Sequence, residues 1–174
     1  MEHSIPLYSQ YLDVKASVWR SRACGIVAAK MLIDFYAPEK GSKVSIDELC
    51  IKGEAAGAYT QGVGWRHKGI AEIIKSFGLR SVNYDWIEYT TQEAYALLRT
   101  YATGPFLASV HKNFDITHGG HLIVVTKIQG KIVHYLEPAS PKRDTISRTT
   151  DLQTFLTGWK LRIITVAPNE LQKQ

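Results

Sequence analysis

Residues 22–36 of the chain, RACGIVAAKMLIDFY, form the stretch that decides the fold. After Cys24 and Gly25, apolar residues recur at helical spacing as far as Tyr36, and Pro38 then prevents the helix from continuing. The apolar face consists of Ile26, Val27, Ala29, Met31, Leu32 and Phe35. This pattern predicts a helix that packs on a hydrophobic core and begins at Cys24.

A cysteine in the first turn of a helix has a distinctive environment. The helix N-terminus carries a partial positive charge and unpaired backbone N–H groups, and both stabilise an anion. A thiolate is therefore favoured at Cys24, and the nearby Arg20 and Arg22 add positive charge. Gly25 lacks a Cβ atom, so we expect it to let a substrate approach the backbone. The alternative is a buried structural thiol, the role expected for Cys50 in SIDELCIKG.

The rest of the chain changes from helical patterns to strand patterns. Helices are predicted over SIDELCIKG, where Ser45 and Glu48 form a capping-box signature, over Ile70 to Phe77, and over QEAYALLRTYA after Thr90 or Thr91. Runs rich in β-branched residues follow, namely PFLASVHK, HLIVVTKIQ, KIVHYLEP and LRIITVAP. This order predicts an α+β domain over residues 1–174, with a C-terminal antiparallel sheet.

A cysteine nucleophile needs a base, and the fold must bring that base to it. His121 follows Gly119 and Gly120 at the start of a predicted strand. His118 is an alternative candidate for the base, and His134 is expected on a strand face. A hairpin turn is predicted at Gln129–Gly130. His121 lies eight residues before Gln129, and Glu137 lies seven residues after Gly130. The spacing therefore predicts that Glu137 lies beside His121 and orients its imidazole.

Composition excludes several other classes of protein. The formal charge of +5 comes from scattered lysines and arginines, so we expect no nucleic-acid partner. No run approaches the ~20 apolar residues of a membrane span, and we expect no membrane association. The sequence contains no CxxC pair or phosphate-binding loop, so we expect no metal and no cofactor. Without a recognisable signal peptide, the cytoplasm is the expected compartment.

Four short motifs together resemble one family. They are YSQ at 8–10, ACG at 23–25, GGHLIVV at 119–125 and the Glu-Pro pair at 137–138. The chain resembles the double-glycine (bacteriocin-processing) peptidases, within the papain-like cysteine peptidases, and the standalone peptidase-like branch is most similar. The resemblance extends from about Ile5 to Pro168, and GVGWRHKGIAEI at 62–73 is part of it.

The resemblance implies a papain-like peptidase fold and a set of site residues. Cys24 would be the nucleophile, His121 the general base and Glu137 the orienting residue, while Gln10 would donate its amide N–H to the oxyanion. Two departures stand out. The family usually has Asp or Asn where this chain has Glu137, and Gln10 lies fourteen residues before Cys24, farther than is usual. The intervening DVKASVWRS must therefore loop out for Gln10 to reach the site.

The expected activity is hydrolysis of a peptide or amide bond through a thioester on Cys24, with a peptide or protein as substrate. One alternative uses the same residues in an acyltransferase or transglutaminase-like reaction, in which an amine intercepts the thioester. Another is a peptide-binding module that keeps the fold without turnover. Among the aromatic residues, we expect packing roles more often than substrate contacts. These residues are Tyr59, Trp65, Trp86 and Trp159. The sequence leaves the oligomeric state open.

Overall fold

The computed structural model describes residues 4–169, which form eight α-helices and eight β-strands, with two short 3-10 turns. The helices are α1 (Gln10–Asp13), α2 (Ser17–Arg20), α3 (Cys24–Tyr36), α4 (Pro38–Gly41), α5 (Ile46–Ala55), α6 (His67–Lys75), α7 (Thr91–Tyr101) and α8 (Leu152–Gly158). A small hairpin pairs β1 (Tyr59–Thr60) with β2 (Gly64–Trp65).

A six-stranded antiparallel sheet forms the centre of the molecule. Its strands are β3 (Leu79–Asp85), β4 (Phe106–His111), β5 (Gly120–Gln129), β6 (Ile132–Leu136), β7 (Ser147–Asp151) and β8 (Trp159–Pro168). They lie in the order β3-β8-β4-β5-β6-β7. The predicted α+β class with an antiparallel sheet is confirmed, although β3 comes before α7 and so interrupts the expected order of helices followed by strands.

Helix α3 begins at Cys24, as its sequence pattern predicts. Every residue from Gly25 to Ile33 is buried, so this helix is enclosed on all sides rather than exposed along a polar face. The charge of Lys30 is accommodated because Asp34 pairs with it and the Tyr8 hydroxyl donates to the same carboxylate at 2.7 Å. The capping boxes at the starts of α5 and α7 also form, with Ser45 and Thr90 as the N-cap residues.

Two apolar clusters cover opposite faces of the sheet. Side chains alternate between the faces along each strand, and on β5 Leu122 and Val124 join the cluster of α3, α5 and α6. Ile123 and Val125 point to the other cluster, which α7 and α8 cover. Within residues 4–169, no helix combines the length and apolar character needed to cross a membrane.

The candidate site lies where the N-terminus of α3 meets the beginning of β5. The segment expected to loop out between Gln10 and Cys24 folds as α1 and α2. The backbone N–H groups of Lys15 and Ala16 donate to the Asp47 carboxylate at 3.0 and 2.7 Å, which ties this segment to α5. The N-terminal residues are therefore held against the helices that carry the site.

Candidate active site

Cys24 is the first residue of α3 and is half-buried at the base of a cleft. Burial raises the pKa of its thiol. That effect is outweighed by a hydrogen bond and charge attraction to His121 and by the backbone N–H groups of Leu122 and Gly25, so the pKa lies below its ordinary value. Cys50 contrasts with it, because burial and two nearby carboxylates raise its pKa to about 12. The environment therefore favours a thiolate at Cys24 alone.

His121 is the second residue of β5 and is only 7% exposed. Its Nε2 atom lies 2.5 Å from Oε1 of Glu137, which leaves Nδ1 as the ring nitrogen available to the Cys24 thiol. Burial lowers the pKa of the imidazole, but hydrogen bonds and charge attraction to Cys24 and Glu137 raise it to about 10. A thiolate and an imidazolium thus stabilise each other.

Glu137 follows the last residue of β6 and is buried. Burial raises the pKa of its carboxyl, and the hydrogen bond and charge of His121, with the N–H of Ala139, lower it below its ordinary value. That N–H donates to Oε1 at 2.8 Å. The carboxylate is therefore ionised and fixed by two partners.

The hairpin between β5 and β6 differs in register from the prediction. Gln129 pairs with Ile132, so the turn is Gly130–Lys131, one residue later than predicted, and Gly130 has a φ of +59°. An irregularity between Val125 and Lys127 shifts the register again. Continuing from the pair Val124 and Leu136, Glu137 faces Ile123, two residues from His121. The contact is diagonal rather than directly across, and the long glutamate side chain spans it.

Gln10 begins α1, and its backbone N–H donates to the carbonyl of Pro138 at 2.8 Å. This bond places Gln10 beside the strand end that carries Glu137. Its side chain is 3% exposed, and Oε1 has no hydrogen-bond partner among residues 4–169. Gln10 is not among the residues that line the cleft, so its role toward an oxyanion stays a prediction.

Gly25 does not serve the purpose expected of it. A Cβ atom at this position would lie 2.6 Å from Cδ1 of Ile70 and 3.0 Å from Cδ1 of Leu122. Both atoms belong to the buried core. Glycine is required here for close packing of α3 on α6 and β5, and the expectation that it opens the backbone to a substrate is wrong.

The other histidines within residues 4–169 lie outside the Cys24 contact. His118 is exposed in the loop after β4, where its Nδ1 lies 3.1 Å from the carbonyl of Lys112. His134 is on β6 opposite Lys127 and Thr149, as a strand-face residue. His3 lies outside the described residues. His67 lines the cleft, although its sequence position gave no such signal.

The cleft above Cys24 encloses about 830 Å³. Its walls come from the segment between α2 and α3, the first residue of α3, the β1–β2 hairpin and α6. Strands β4, β5 and β8 complete them. Tyr59 and Trp65 line it, while Trp86 and Trp159 are buried in the second cluster. Lys160 and Arg162 line it too, and sequence reasoning missed both because β8 reaches the site only through the strand order. Within residues 4–169, no group of three or more His, Cys, Asp or Glu could hold a metal ion.

The sequence model of the peptidase C39-like family matches residues 2–162, which include all four motifs of the site. The chain belongs to this family. Similarity to C39 peptidase structures agrees with that membership, and the fold is the papain-like one of C39 domains. No curated protein matches the sequence.

Three solved structures illustrate the similarity of this C39-like chain to known folds. The peptidase domain of Streptococcus ComA is 18% identical with a TM-score of 0.63, covering 95% of this chain and 100% of the other. A C39-like peptidase from Bacillus anthracis is 14% identical with a TM-score of 0.63, covering 95% and 96%. A double-glycine motif protease from an AMS/PCAT transporter, in complex with a leader peptide, is 14% identical with a TM-score of 0.61, covering 95% and 93%.

Proposed function

We propose that this C39-like chain is a cysteine peptidase or amidase, with Cys24 as nucleophile and His121 as general base. The observation that carries the proposal is the interaction of the Cys24 thiol with the His121 imidazole at the N-terminus of α3, in an open cleft. A nucleophile held as an anion beside a proton donor is the arrangement that acyl transfer needs. Glu137 is a positioning residue, because it acts on the substrate only through His121.

The proposed reaction has two halves. The Cys24 thiolate attacks the carbonyl carbon of a peptide or amide bond, and the tetrahedral intermediate collapses as the C–N bond breaks. The His121 imidazolium gives its proton to the departing amine, which leaves a thioester on Cys24 and a neutral imidazole. That imidazole then takes a proton from water, which attacks the thioester and releases the acid. Glu137 keeps Nδ1 directed at the sulfur throughout.

The oxyanion needs hydrogen-bond donors close to Cys24. The N-terminus of α3 supplies backbone N–H groups at this point. We propose the side-chain amide of Gln10 as the second donor. Its support is the position of this buried residue, whose backbone N–H donates to the carbonyl of Pro138, the residue that follows Glu137.

A peptide or protein is the proposed substrate class. The support is family membership together with the leader peptide bound by the double-glycine protease of similar fold. An extended peptide also suits the open shape of the cleft. Both cysteines are free thiols, which fits the reducing conditions of the cytoplasm.

Digestion of a mixed peptide library, followed by mass spectrometry, tests the proposal. We expect wild-type protein to generate new peptide ends and Cys24→Ala to generate none. Cys50→Ala is the matched control, because it removes a buried thiol that does not line the cleft and should leave cleavage intact. Cleavage that persists in Cys24→Ala contradicts the proposal. Repeating the digestion with an added primary amine separates hydrolysis from acyl transfer by the mass of the product.

A further inference from the structure

The cleft is lined by positive charge with no opposing carboxylate. Four permanently charged side chains contribute to its walls, namely Arg22, Arg66, Lys160 and Arg162. Among the residues of 4–169 that line the cleft, none is Asp or Glu. Glu137 is also ionised, but it is buried against Nε2 of His121 and does not line the cleft, so the four cations dominate the electrostatic potential along the walls that a substrate meets.

Two of the four cations already have partners. Nε of Arg162 donates to the Asp85 carboxylate at 2.9 Å, and the Arg66 guanidinium donates to the carbonyl of Gly57. Lys160 and Arg22 differ, since neither side chain has a hydrogen-bond or ion-pair partner in the described part of the chain. These two charges are therefore free to bind an anionic group that enters the cleft.

Lys160 lies close to the proposed chemistry. Its Nζ atom is 3.1 Å from the position that a Cβ atom on Gly120 would occupy. Gly120 directly precedes His121 on β5, and Lys160 and His121 both line the cleft. Arg22 also lines the cleft and lies two residues before Cys24 in the sequence. Both cations thus line the same cleft as Cys24.

A bulge in β8 presents Lys160 to the cleft. Ser109 pairs with Arg162 and the next residue, Val110, pairs with Trp159, so Lys160 and Leu161 are two extra residues on β8. Leu161 has a φ of +55°, a left-handed conformation that leucine rarely adopts because its Cβ atom crowds the following carbonyl oxygen. Bulges often redirect a side chain next to an active site, and strain of this kind often accompanies function.

The neighbouring His67 does not add to the charge. Burial lowers the pKa of His67, and the positive charges of Arg162 and Lys160 lower it further against the opposing effect of Asp85. A neutral imidazole at this position agrees with a positive potential in the cleft. The permanent charges of the lysine and the arginines therefore dominate at neutral pH.

We propose that the cleft selects substrates that carry an acidic side chain beside the bond attacked by Cys24, with Lys160 and Arg22 as the binding cations. This inference rests on the proposed function for the bond that is cleaved, and it adds the chemical class of the neighbouring residue. The two cations are specificity-determining residues, and neither takes part in the proton transfers.

The test compares two alkylating probes, anionic iodoacetate and neutral iodoacetamide, on the Cys50→Ala background. Both react with the same thiolate, so the ratio of their rates cancels any change in the pKa of Cys24. We expect Lys160→Gln and Arg22→Gln each to lower the iodoacetate-to-iodoacetamide ratio about threefold at low salt. Lys131→Gln is the matched control, because it removes an exposed lysine at the far end of β5 and should leave the ratio unchanged.

A ratio that stays the same in both cleft variants overturns the proposal. If Cys24 resists both probes, the proposed function fails, and the binding proposal is decided separately on the Cys24→Ala variant. There, NMR titration with a glutamate-containing hexapeptide and its glutamine counterpart follows the amides of Gly120 and Leu161. Tighter binding of the glutamate peptide, lost in Lys160→Gln, supports the proposal. Equal binding of the two peptides overturns it.

Discussion

At the scale of single residues, the buried charge on His121 connects the proposed chemistry to the stability of the fold. The imidazolium has little access to water, so its charge depends on Cys24 and Glu137 as partners. Removing one partner of a buried ion pair leaves an uncompensated charge, which typically costs about 3–5 kcal/mol. The same carboxylate that orients the base therefore also stabilises the folded chain.

We expect Glu137→Gln to lower the free energy of unfolding by about 3 kcal/mol near neutral pH. The raised pKa of His121 means that its contribution is complete below an ordinary value of 6.5 and is lost as pH rises through about 10. The lowered pKa of Glu137 means that its contribution is present above 4.5 and is lost as pH falls through the folded value. Urea unfolding of the wild-type protein and of Glu137→Gln, at pH values across this range, measures the difference in their free energies of unfolding. A difference that fails to shrink toward pH 10 contradicts the assignment.

Gly25 gives a second prediction at this scale. We expect Gly25→Ala to reduce stability by about 1–3 kcal/mol, because the added methyl group overlaps Ile70 and Leu122 in a closed core. Thermal unfolding measures the loss. Ala28→Gly in the same helix is a useful comparison, since it creates a small cavity instead of a clash. If Gly25→Ala also carries Ile70→Val, which removes the Cδ1 atom, we expect part of the loss to be recovered, and no recovery would contradict the packing explanation.

At the scale of elements, helix α3 is held by a polar network as well as by apolar packing. Lys30 pairs with Asp34 and donates to the carbonyl of Gly41 at 3.1 Å, while Tyr8 donates to Asp34. This network attaches the N-terminal segment to α3. Burial and the Asp34 hydrogen bond raise the pKa of Tyr8 to about 12, so its hydroxyl keeps its proton over the physiological range.

We expect Tyr8→Phe to destabilise the fold by about 1.5–3 kcal/mol, because the Asp34 carboxylate then loses a hydrogen bond while it remains buried. Tyr11→Phe is the matched control, since the Tyr11 side chain is 39% exposed. Chemical denaturation of the two variants gives the comparison. Equal effects from both substitutions would show that the network contributes nothing beyond the loss of a hydroxyl.

Sequence reasoning recovered those elements whose patterns are local. The start of α3 follows from Cys24 and the apolar spacing after it, and the two capping boxes follow from residues three positions apart. Strand β3 was missed because LRSVNYD has neither a continuous apolar run nor a strict alternation of apolar and polar residues, and β7 was missed because SRTTD lacks apolar residues. The bulge at Lys160 and Leu161 depends on the pairing of β8 with β4, and no local pattern encodes such pairing.

The candidate site was predictable to a similar extent. The hairpin spacing placed Glu137 near His121, although the register is diagonal. The sequence does not indicate that Lys160 and His67 line the cleft, because both reach it through the tertiary arrangement of distant segments. The sequence also does not reveal that Gly25 faces the core, since this depends on which residues pack against that side of the helix.

At the scale of the whole molecule, one sheet serves both apolar clusters. Strands β4, β5, β6 and β8 place alternate side chains in each cluster, so neither face can lose its packing alone. The Cys24–His121 contact depends on this arrangement, because α3 belongs to one face and β5 to the sheet itself. The prediction that residues 1–174 form one domain has a thermodynamic consequence.

We expect a single cooperative unfolding transition. Trp19 and Trp65 report on the first cluster, and Trp86 and Trp159 report on the second. Fluorescence of a Trp19→Phe/Trp65→Phe protein and far-ultraviolet circular dichroism should therefore give coincident denaturation curves. Two separate midpoints would show that the two faces unfold independently and would contradict the single-domain prediction.

The most direct measurement is the pH dependence of iodoacetamide alkylation at Cys24, followed by mass spectrometry in the Cys50→Ala protein. We expect modification to proceed below the ordinary thiol pKa of 9.0, since the lowered pKa keeps the thiolate present there. His121→Gln should move the midpoint upward, because it removes the partner charge. A midpoint at or above 9.0 in the parent protein, unchanged by His121→Gln, would contradict the thiolate–imidazolium pair and the proposed catalysis with it.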